Sequence, residues 1–263
     1  MRAIPLRTLA AGMQARVLLE SKTACPTGVS IDSREEQGGK LFFAIRGERF
    51  DGHDFLDAVL AGGAAALVVD EQVFAAHPAR EHLVARARTH GQGILLAADT
   101  KRALGDAAAA ALRVWQPRVI AVTGSSGKTT TRRIIQTLLE KTFSIRTGVR
   151  NYNNDIGLPL TVFTLEADDR VLLLEMGMNH AGELLRLAEI ARPGVVVITN
   201  IGSAHIEHLG SRDGIAAAKK EALAFFDSQC IAVLNQTDEY YEFLSTGVPG
   251  RIVPYTAVPE GFT

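Results

Sequence analysis

Cysteine is scarce in this chain, with two residues among 263. Cys25 and Cys230 lie far apart and form no motif, so two reduced thiols in a cytoplasmic protein is the reading that follows. No apolar run approaches the length of a membrane span. Arg2 and Arg7 stand near the start without a long apolar stretch beside them, so no signal peptide is read there. Charge of either sign is also lacking in excess. The net value is −1, so no basic field draws the chain to nucleic acid or to a membrane surface. Short-period repeats and low-complexity tracts are absent. What remains is ordinary globular composition, 47% hydrophobic and 22% charged. The length suits one or two domains and a substantial core.

The most informative stretch is Val119-Ile-Ala-Val-Thr-Gly-Ser-Ser-Gly-Lys-Thr-Thr-Thr131. An apolar strand runs into a Gly-rich turn. Lys128, Thr129 and Thr130 then open a segment with apolar residues at helical spacing (Ile134, Ile135, Leu138, Leu139). Strand, turn and helix start make a phosphate-binding loop, in which backbone N–H groups and the positive helix end face an anion. Lys128 would reach the β- and γ-phosphates and the Thr129 hydroxyl would sit on magnesium. The common form has a glycine where this chain has Val122. The loop is therefore the shorter Gly124-Ser125-Ser126-Gly127-Lys128-Thr129. An ordinary Gly-rich strand–helix turn is the alternative.

Before residue 98, apolar strands at Lys40-Leu-Phe-Phe-Ala-Ile45, Ala64-Ala-Ala-Leu-Val-Val69 and Gly93-Ile-Leu-Leu-Ala97 alternate with one helix-like segment. That segment is marked by Phe55, Leu56, Val59 and Leu60 and stopped by Gly62-Gly63. An Ala-rich helix follows from Thr100, read as its N-cap, to Trp115, with Pro117 past its end. Strands are then expected at 118–123, 143–147, 170–176, 194–200, 230–235 and 251–255, and helices around 129–141, 181–191 and 212–226. This alternation predicts a parallel sheet with helices on both faces and ligands at the carboxyl ends of its strands.

Polar residues gather where that rule places them. Glu175 ends the strand Val171-Leu-Leu-Leu-Glu175 and could either hold magnesium or sit in a salt bridge. Asn179 and His180 open the next helix, as substrate contacts or as a cap. His205 follows the strand that contains Ile198, as a metal ligand or a structural histidine. Lys219 follows Ala216-Ala-Ala218. It is either a solvated helix-face lysine or a desolvated amine of lowered pKa, able to capture carbon dioxide as a carbamate. Asn151, Asn153 and Asn154 lie in a polar loop, suited to phosphate or peptide groups and equally to turns. Asn235 and Asp238 end another strand, where an adenine or ribose could be touched. In the first stretch, Asp32-Ser33-Arg34 and Arg46-Gly47 before Asp51-Gly-His53 suit an anion such as a diphosphate, or form a polar hairpin.

In this order, the pieces resemble the Mur ligase family of ATP-dependent amide-forming enzymes in peptidoglycan precursor synthesis. The matching residues are Asp32-Ser-Arg34 with Leu41-Phe-Phe-Ala-Ile-Arg-Gly47 and Asp51-Gly52; Thr123-Gly-Ser-Ser-Gly-Lys-Thr-Thr130; Asn153-Asn154 with Gly157 and Pro159; Glu175-Met-Gly-Met-Asn-His180 with Gly182-Glu183; Ala204-His205; and Ala217-Ala-Lys219. The set spans nearly the whole chain. Glu175 to His180, with the Gly-Ser turn after His205, looks most like the member that adds D-alanyl-D-alanine to UDP-N-acetylmuramoyl-tripeptide.

The resemblance implies ATP and magnesium as cofactors and an acyl-phosphate intermediate. Lys128 would bind phosphates, Thr129, Glu175 and His205 would serve the metal sites, and Lys219 would be the carbamylated lysine. Asn235 and Asp238 would contact adenosine, and Ser33, Arg34 and Arg46 would hold the uridine diphosphate. Asn153, Asn154, Asn179 and His180 join them as substrate contacts. The expected fold class is α/β: a small mixed N-terminal domain (1–98) and a P-loop, mostly parallel-sheet ATPase domain (99–263). That second domain is expected to be truncated, with the family's C-terminal ligase domain absent and a monomer as the state. Two rivals remain: another ligase of the superfamily, such as a folylpolyglutamate synthetase, or a binding module without complete catalysis. A GTPase is disfavoured, because Gln236 stands where the guanine-reading lysine would be.

Overall fold

The computed structural model describes residues 1–148, 152–204 and 206–256. The chain divides into two compact units. One is Met1–Gln116 with Val162–Ala167, and the other is Pro117–Thr161 with Asp168–Thr263. The division falls at Gln116, whereas the sequence reading puts the boundary at residue 98, so the Ala-rich helix groups with the first unit.

In the first unit the elements run α1 (Leu6–Gly12), β1 (Arg16–Leu19), β2 (Gly28–Ser30), β3 (Lys40–Phe43), α2 (Leu56–Ala61), β4 (Ala66–Asp70), α3 (Glu71–Ala75), α4 (Arg80–His90), β5 (Gly93–Ala97) and α5 (Thr100–Trp115). The sheet order is β1-β5-β4-β3-β2. β2 to β5 pair in parallel, and β1 is antiparallel to β5. β5 is buried throughout and β4 up to its last residue, which is why both read as unbroken apolar runs rather than alternating ones. Phe42, Leu67, Val69 and Ile94 form a core with Leu56, Val59, Phe74 and Leu83.

The reading of one helix-like segment before residue 98 is corrected. α4 was missed because it buries only Leu83 and Ala87, too little for a periodic apolar stripe. Thr100 is not the cap of α5. Asp99 is, its carboxylate accepting from Arg102 N–H at 2.9 Å. The buried Thr100 hydroxyl instead donates to Ala44 O at 2.8 Å.

The second unit holds β6 (Arg118–Thr123), α6 (Lys128–Leu139), β7 (Ile145–Thr147), α7 (Gly157–Val162, whose last residue groups with the first unit), β8 (Val171–Glu175), α8 (Glu183–Ala191), β9 (Val195–Ile198), α9 (Ile206–Leu209), α10 (Arg212–Lys220), β10 (Ile231–Asn235), α11 (Tyr241–Ser245) and β11 (Arg251–Tyr255). The order is β11-β10-β9-β6-β8-β7, and every pairing is parallel, as expected from the alternation. The helix expected over 212–226 ends at Lys220 and gives way to a 3₁₀ turn at Glu221–Leu223.

β6 is the pivot of this topology. The chain builds β7 and β8 on one side of it and β9 on the other. Such a reversal opens a crevice at the carboxyl ends of the central strands. Val122 pairs with Glu175 and Thr123 with Ile198, so the loop after β6, Glu175 and the turn after β9 come to the same sheet edge.

Candidate functional site

The loop after β6 takes its shape from two glycines. Gly124 has φ +146°, and a Cβ there would lie 1.8 Å from Thr199 Oγ1, so no side chain fits. Gly127, at φ +76°, turns the chain into α6 as its N-cap. The first intrahelical bond is Thr131 N–H to Gly127 O, 2.9 Å. The N–H groups of Lys128, Thr129 and Thr130 precede it and point out of the helix start, the geometry of an anion seat. The turn after β9 braces the loop. Ser126 N–H donates to Asn200 Oδ1 (3.0 Å), Asn200 Nδ2 donates to Ser126 Oγ (2.8 Å), Gly202 N–H donates to Ser125 Oγ (2.8 Å) and Thr199 Oγ1 donates to Ser126 O (2.6 Å). Lys128 folds back over its own loop, Nζ donating to Gly124 O at 2.8 Å. Burial pushes its ammonium below the ordinary lysine value, against the attraction of Glu175.

Glu175 gathers three donors, two from α6 and one from the loop before α7. Thr129 Oγ1 donates to Oε2 at 2.9 Å, Asn153 Nδ2 to Oε1 at 3.4 Å, and Arg132 Nε lies 3.6 Å from Oε2. Arg132 Nη1 also donates to Thr147 Oγ1 at 2.6 Å. Of the two readings the sequence offered for Glu175, the salt bridge is present, and the carboxylate also accepts from Thr129. The expected apolar stripe of α6 is not its buried face. Ile134 and Leu138 are exposed, Ile135 packs only partly on the core, and Arg132 is the one buried residue of the helix. Gly177 lets Asn153 approach, for a Cβ would lie 2.9 Å from its carboxamide. Asn154 is spent on α7, its Oδ1 accepting from Gly157 N–H at 2.8 Å.

Among the described residues no three His, Cys, Asp or Glu side chains converge on a metal position. The donors that are present suit magnesium. Thr129 Oγ1 and Glu175 Oε2 are oxygens 2.9 Å apart beside the helix start, and magnesium usually takes one or two carboxylates plus substrate phosphates rather than a full protein cage. His205 lies outside the described residues, as does Asn151.

Lys219 overturns its bland reading as a solvated lysine. It is 2% exposed. Burial pushes its amine down to about 7, and the charge of Lys128 adds to that effect. Among the described residues its Nζ has no hydrogen-bond partner. The next residue, Lys220, shows the contrast, for its Nζ donates to Phe243 O and Thr246 O at 2.6 and 2.7 Å. Glu221 then accepts from Gly182 N–H at 2.8 Å and Leu185 N–H at 3.1 Å, tying the end of α10 to the start of α8.

The remaining candidates of this unit are placed less centrally. His180 does not cap α8; Gly182 does. Its imidazole lies 3.2 Å from Glu183 Oε1 and 4.7 Å from the His208 ring, while Asn179 N–H donates to Glu183 Oε2 at 2.7 Å. Asn235 Oδ1 accepts from Thr237 N–H and Oγ1. Asp238 is occupied by backbone, accepting from Ile201 N–H at 2.8 Å and Tyr240 N–H at 3.0 Å. Tyr255, at the end of β11, donates to Thr199 O at 2.7 Å.

In the first unit the anion candidates separate. Ser33 and Arg34 line a cavity of about 330 Å³ with Phe42, Ile45, Phe50 and Phe55. Arg34 grips Asp32 through two bonds of 2.8 and 2.6 Å, which hold the Asp32 carboxyl at about 2. Arg46 opens instead on a second cavity of about 300 Å³, with His53, Asp70, Thr100 and Lys101. Arg46 Nε donates to Asp51 Oδ2 at 2.8 Å, and Asp51 Oδ1 lies 2.6 Å from His53 Nδ1. His53 Nε2 accepts from Asp70 N–H at 3.0 Å, so the proton sits on Nδ1 and the ring is neutral. Burial raises the Asp51 carboxyl, but bonds from His53 N–H, Arg46 and the His53 ring outweigh it and hold the group at about 2.

Arg132, Thr147, Asn200, Phe50 and the cavity role of Phe55 were not read from sequence. Arg132 carried one usable signal, standing one helical turn after Thr129 on the same face. Asn200 carried another, following a buried strand at the ligand edge.

A family model described as the Mur ligase middle domain matches residues 122–257. A second, described as the Mur ligase family catalytic domain, matches residues 26–111. The UDP-N-acetylmuramoyl-tripeptide–D-alanyl-D-alanine ligase of Bacillus subtilis is 41% identical over 196 residues, which cover 74% of this chain and 40% of that protein. The crystal structure of MurF from Acinetobacter baumannii matches with a TM-score of 0.82 at 30% identity, covering 97% of this chain and 53% of that one. MurF from Thermotoga maritima, solved in complex with ADP, matches with a TM-score of 0.74 at 30% identity, covering 87% and 50%. The chain spans about half the length of the curated relatives it matches.

Proposed function

The chain belongs to the Mur ligase family, and from that membership we propose that it supplies the precursor-binding and nucleotide-binding parts of an ATP-dependent ligase. The reaction is the addition of D-alanyl-D-alanine to UDP-N-acetylmuramoyl-tripeptide. The observation that carries the reading is the grouping of the start of α6, Lys128, the Thr129–Glu175 pair and the buried Lys219, whose amine feels the Lys128 charge.

The ATP polyphosphate lies against the start of α6. To admit it, Lys128 exchanges its loop carbonyls for phosphate oxygens, and Ser126 N–H exchanges Asn200 for phosphate. The Ser126 exchange replaces a neutral hydrogen bond by a charge-assisted one, which is about twice as strong, and the Lys128 exchange gives its ammonium oppositely charged acceptors in place of neutral carbonyls. The γ-phosphoryl passes to the terminal carboxylate of the tripeptide. The acyl phosphate is then attacked by the D-alanyl-D-alanine amine, and phosphate leaves. Lys128 is half-buried, so its charge acts on the developing negative charge with less screening than an exposed lysine would. Thr129 and Glu175, with His205 proposed as a further ligand, would hold magnesium, which would supply additional neutralisation of that charge. Lys219, with its amine at about 7, is substantially neutral near pH 7 and is the group that carbon dioxide would convert to a carbamate.

Ser33 and Arg34 are proposed for the uridine diphosphate, with Arg46 at the neighbouring cavity. The Arg34 side chain is 87% exposed beyond its pair with Asp32 and is free to face a ligand phosphate. Asn153, Asn154, Asn179 and His180 are proposed for the peptide part, and Asn235 and Asp238 for adenosine.

Calorimetric titration tests both halves. Wild type should bind ATP and should prefer UDP-N-acetylmuramoyl-tripeptide to UDP-N-acetylglucosamine. Lys128→Ala should lose the nucleotide and keep the precursor. Equal affinity for the two UDP-sugars would reject the precursor assignment, and undiminished ATP binding by Lys128→Ala would reject the loop's role.

A further inference from the structure

Burying an arginine as the sole enclosed residue of a helix is costly unless its charge is answered. Arg132 is such a residue, and the answer is Glu175. The two side chains are 9% and 10% exposed, with Nε 3.6 Å from Oε2, and Thr147 fixes the far end of the guanidinium at 2.6 Å. The carboxylate expected to help hold magnesium therefore already has a resident cation. Lys128 adds a second positive charge nearby, since its ammonium feels Glu175.

We propose that Arg132 is a positioning residue that makes divalent-cation binding at Thr129–Glu175 conditional on nucleotide. This rests on the nucleotide-binding reading above and deepens it. With Arg132 in place, a lone divalent cation meets a carboxylate whose charge is already offset, beside a like charge. A nucleotide brings several negative charges of its own, and the sum then favours the metal. The same contact holds the Glu175 carboxylate against the Thr129 hydroxyl before any ligand arrives, so the metal enters with its nucleotide into a preset pair of oxygens. Charge on residue 132, rather than its shape, is what the device needs.

The test uses manganese(II), followed by electron paramagnetic resonance, with the whole chain, in the presence and absence of ADP. Wild type should bind manganese weakly alone and at least about tenfold more tightly with ADP. Arg132→Met, which keeps length and removes charge, should bind manganese without nucleotide at least about tenfold more tightly than wild type. Arg132→Lys should behave as wild type. Nucleotide-free affinity of Arg132→Met equal to or below that of wild type overturns the proposal. So does wild-type binding that is indifferent to ADP while ADP itself binds, an outcome that needs no folded variant. If ADP does not bind at all, the nucleotide reading fails, and the nucleotide-free comparison of the two proteins still judges Arg132.

Discussion

Replacing Lys219 by methionine should stabilise the second unit, by an amount that depends on pH. Methionine has nearly the length of lysine and carries no charge, so the enclosed site stays filled. The amine lies at about 7 in the folded chain against an ordinary 10.5. That gap corresponds to about 5 kcal/mol of disfavoured charging, an order-of-magnitude figure. The direction follows from linkage. Below about pH 7 the lysine is protonated in both states, and the folded chain bears the whole cost. Between about 7 and 10.5 the unfolded chain still holds the proton while the folded one has released it. The cost then falls by about 1.4 kcal/mol per pH unit and vanishes above 10.5.

The stability advantage of Lys219→Met should therefore be largest at pH 6.5 and about 3 kcal/mol smaller at pH 9. The single tryptophan, Trp115, belongs to the first unit and is a poor reporter here. Hydrogen exchange of the α10 amides, in buffers free of carbon dioxide, reads the correct region. Adding bicarbonate should then protect wild type and leave the methionine variant unchanged. An advantage that stays constant from pH 6.5 to 9 would refute the claim that the Lys219 amine is desolvated.

Three further outcomes are expected. Gly124→Ala places a methyl group on the Thr199 hydroxyl at a backbone angle hostile to side chains. Calorimetric melting should show a loss of roughly 2–4 kcal/mol, together with loss of ATP binding. Thr129→Val removes the hydroxyl that meets Glu175. It should weaken ADP binding about tenfold in magnesium and leave binding in chelator nearly unchanged; an equal effect in both would detach Thr129 from the metal. Asp51→Asn disturbs the contacts to Arg46 and His53. The Asp51 carboxyl is held at about 2, so its contribution is complete above pH 4 and lost as pH falls toward 2. After solvent screening it amounts to about 1 kcal/mol, and urea unfolding of wild type and variant should converge as pH approaches about 2.

Much of the sheet edge around the β6 loop was readable from the chain because its determinants are local. An apolar run before two glycines and a lysine sets strand, loop and helix start within a dozen or so residues. Glu175 at the end of an apolar strand follows the same logic. The first unit was less readable. α4 is mostly exposed, and β1 pairs antiparallel with β5, a partner far along the chain. Asn235 and Asp238 stand after a strand as read, but the bonds that occupy them were not legible in the sequence.

Patterns of period, turn glycines and strand-end polar residues were thus enough to specify the α/β class and the loop after β6, since each depends on neighbours in sequence. Burial of Lys219, the pairing of Arg132 with Glu175 and the bracing of Ser126 by Asn200 arise from packing. A charged side chain takes its partner, its solvent exposure and hence its proton affinity from residues that only folding brings alongside, and no short stretch of chain contains that information.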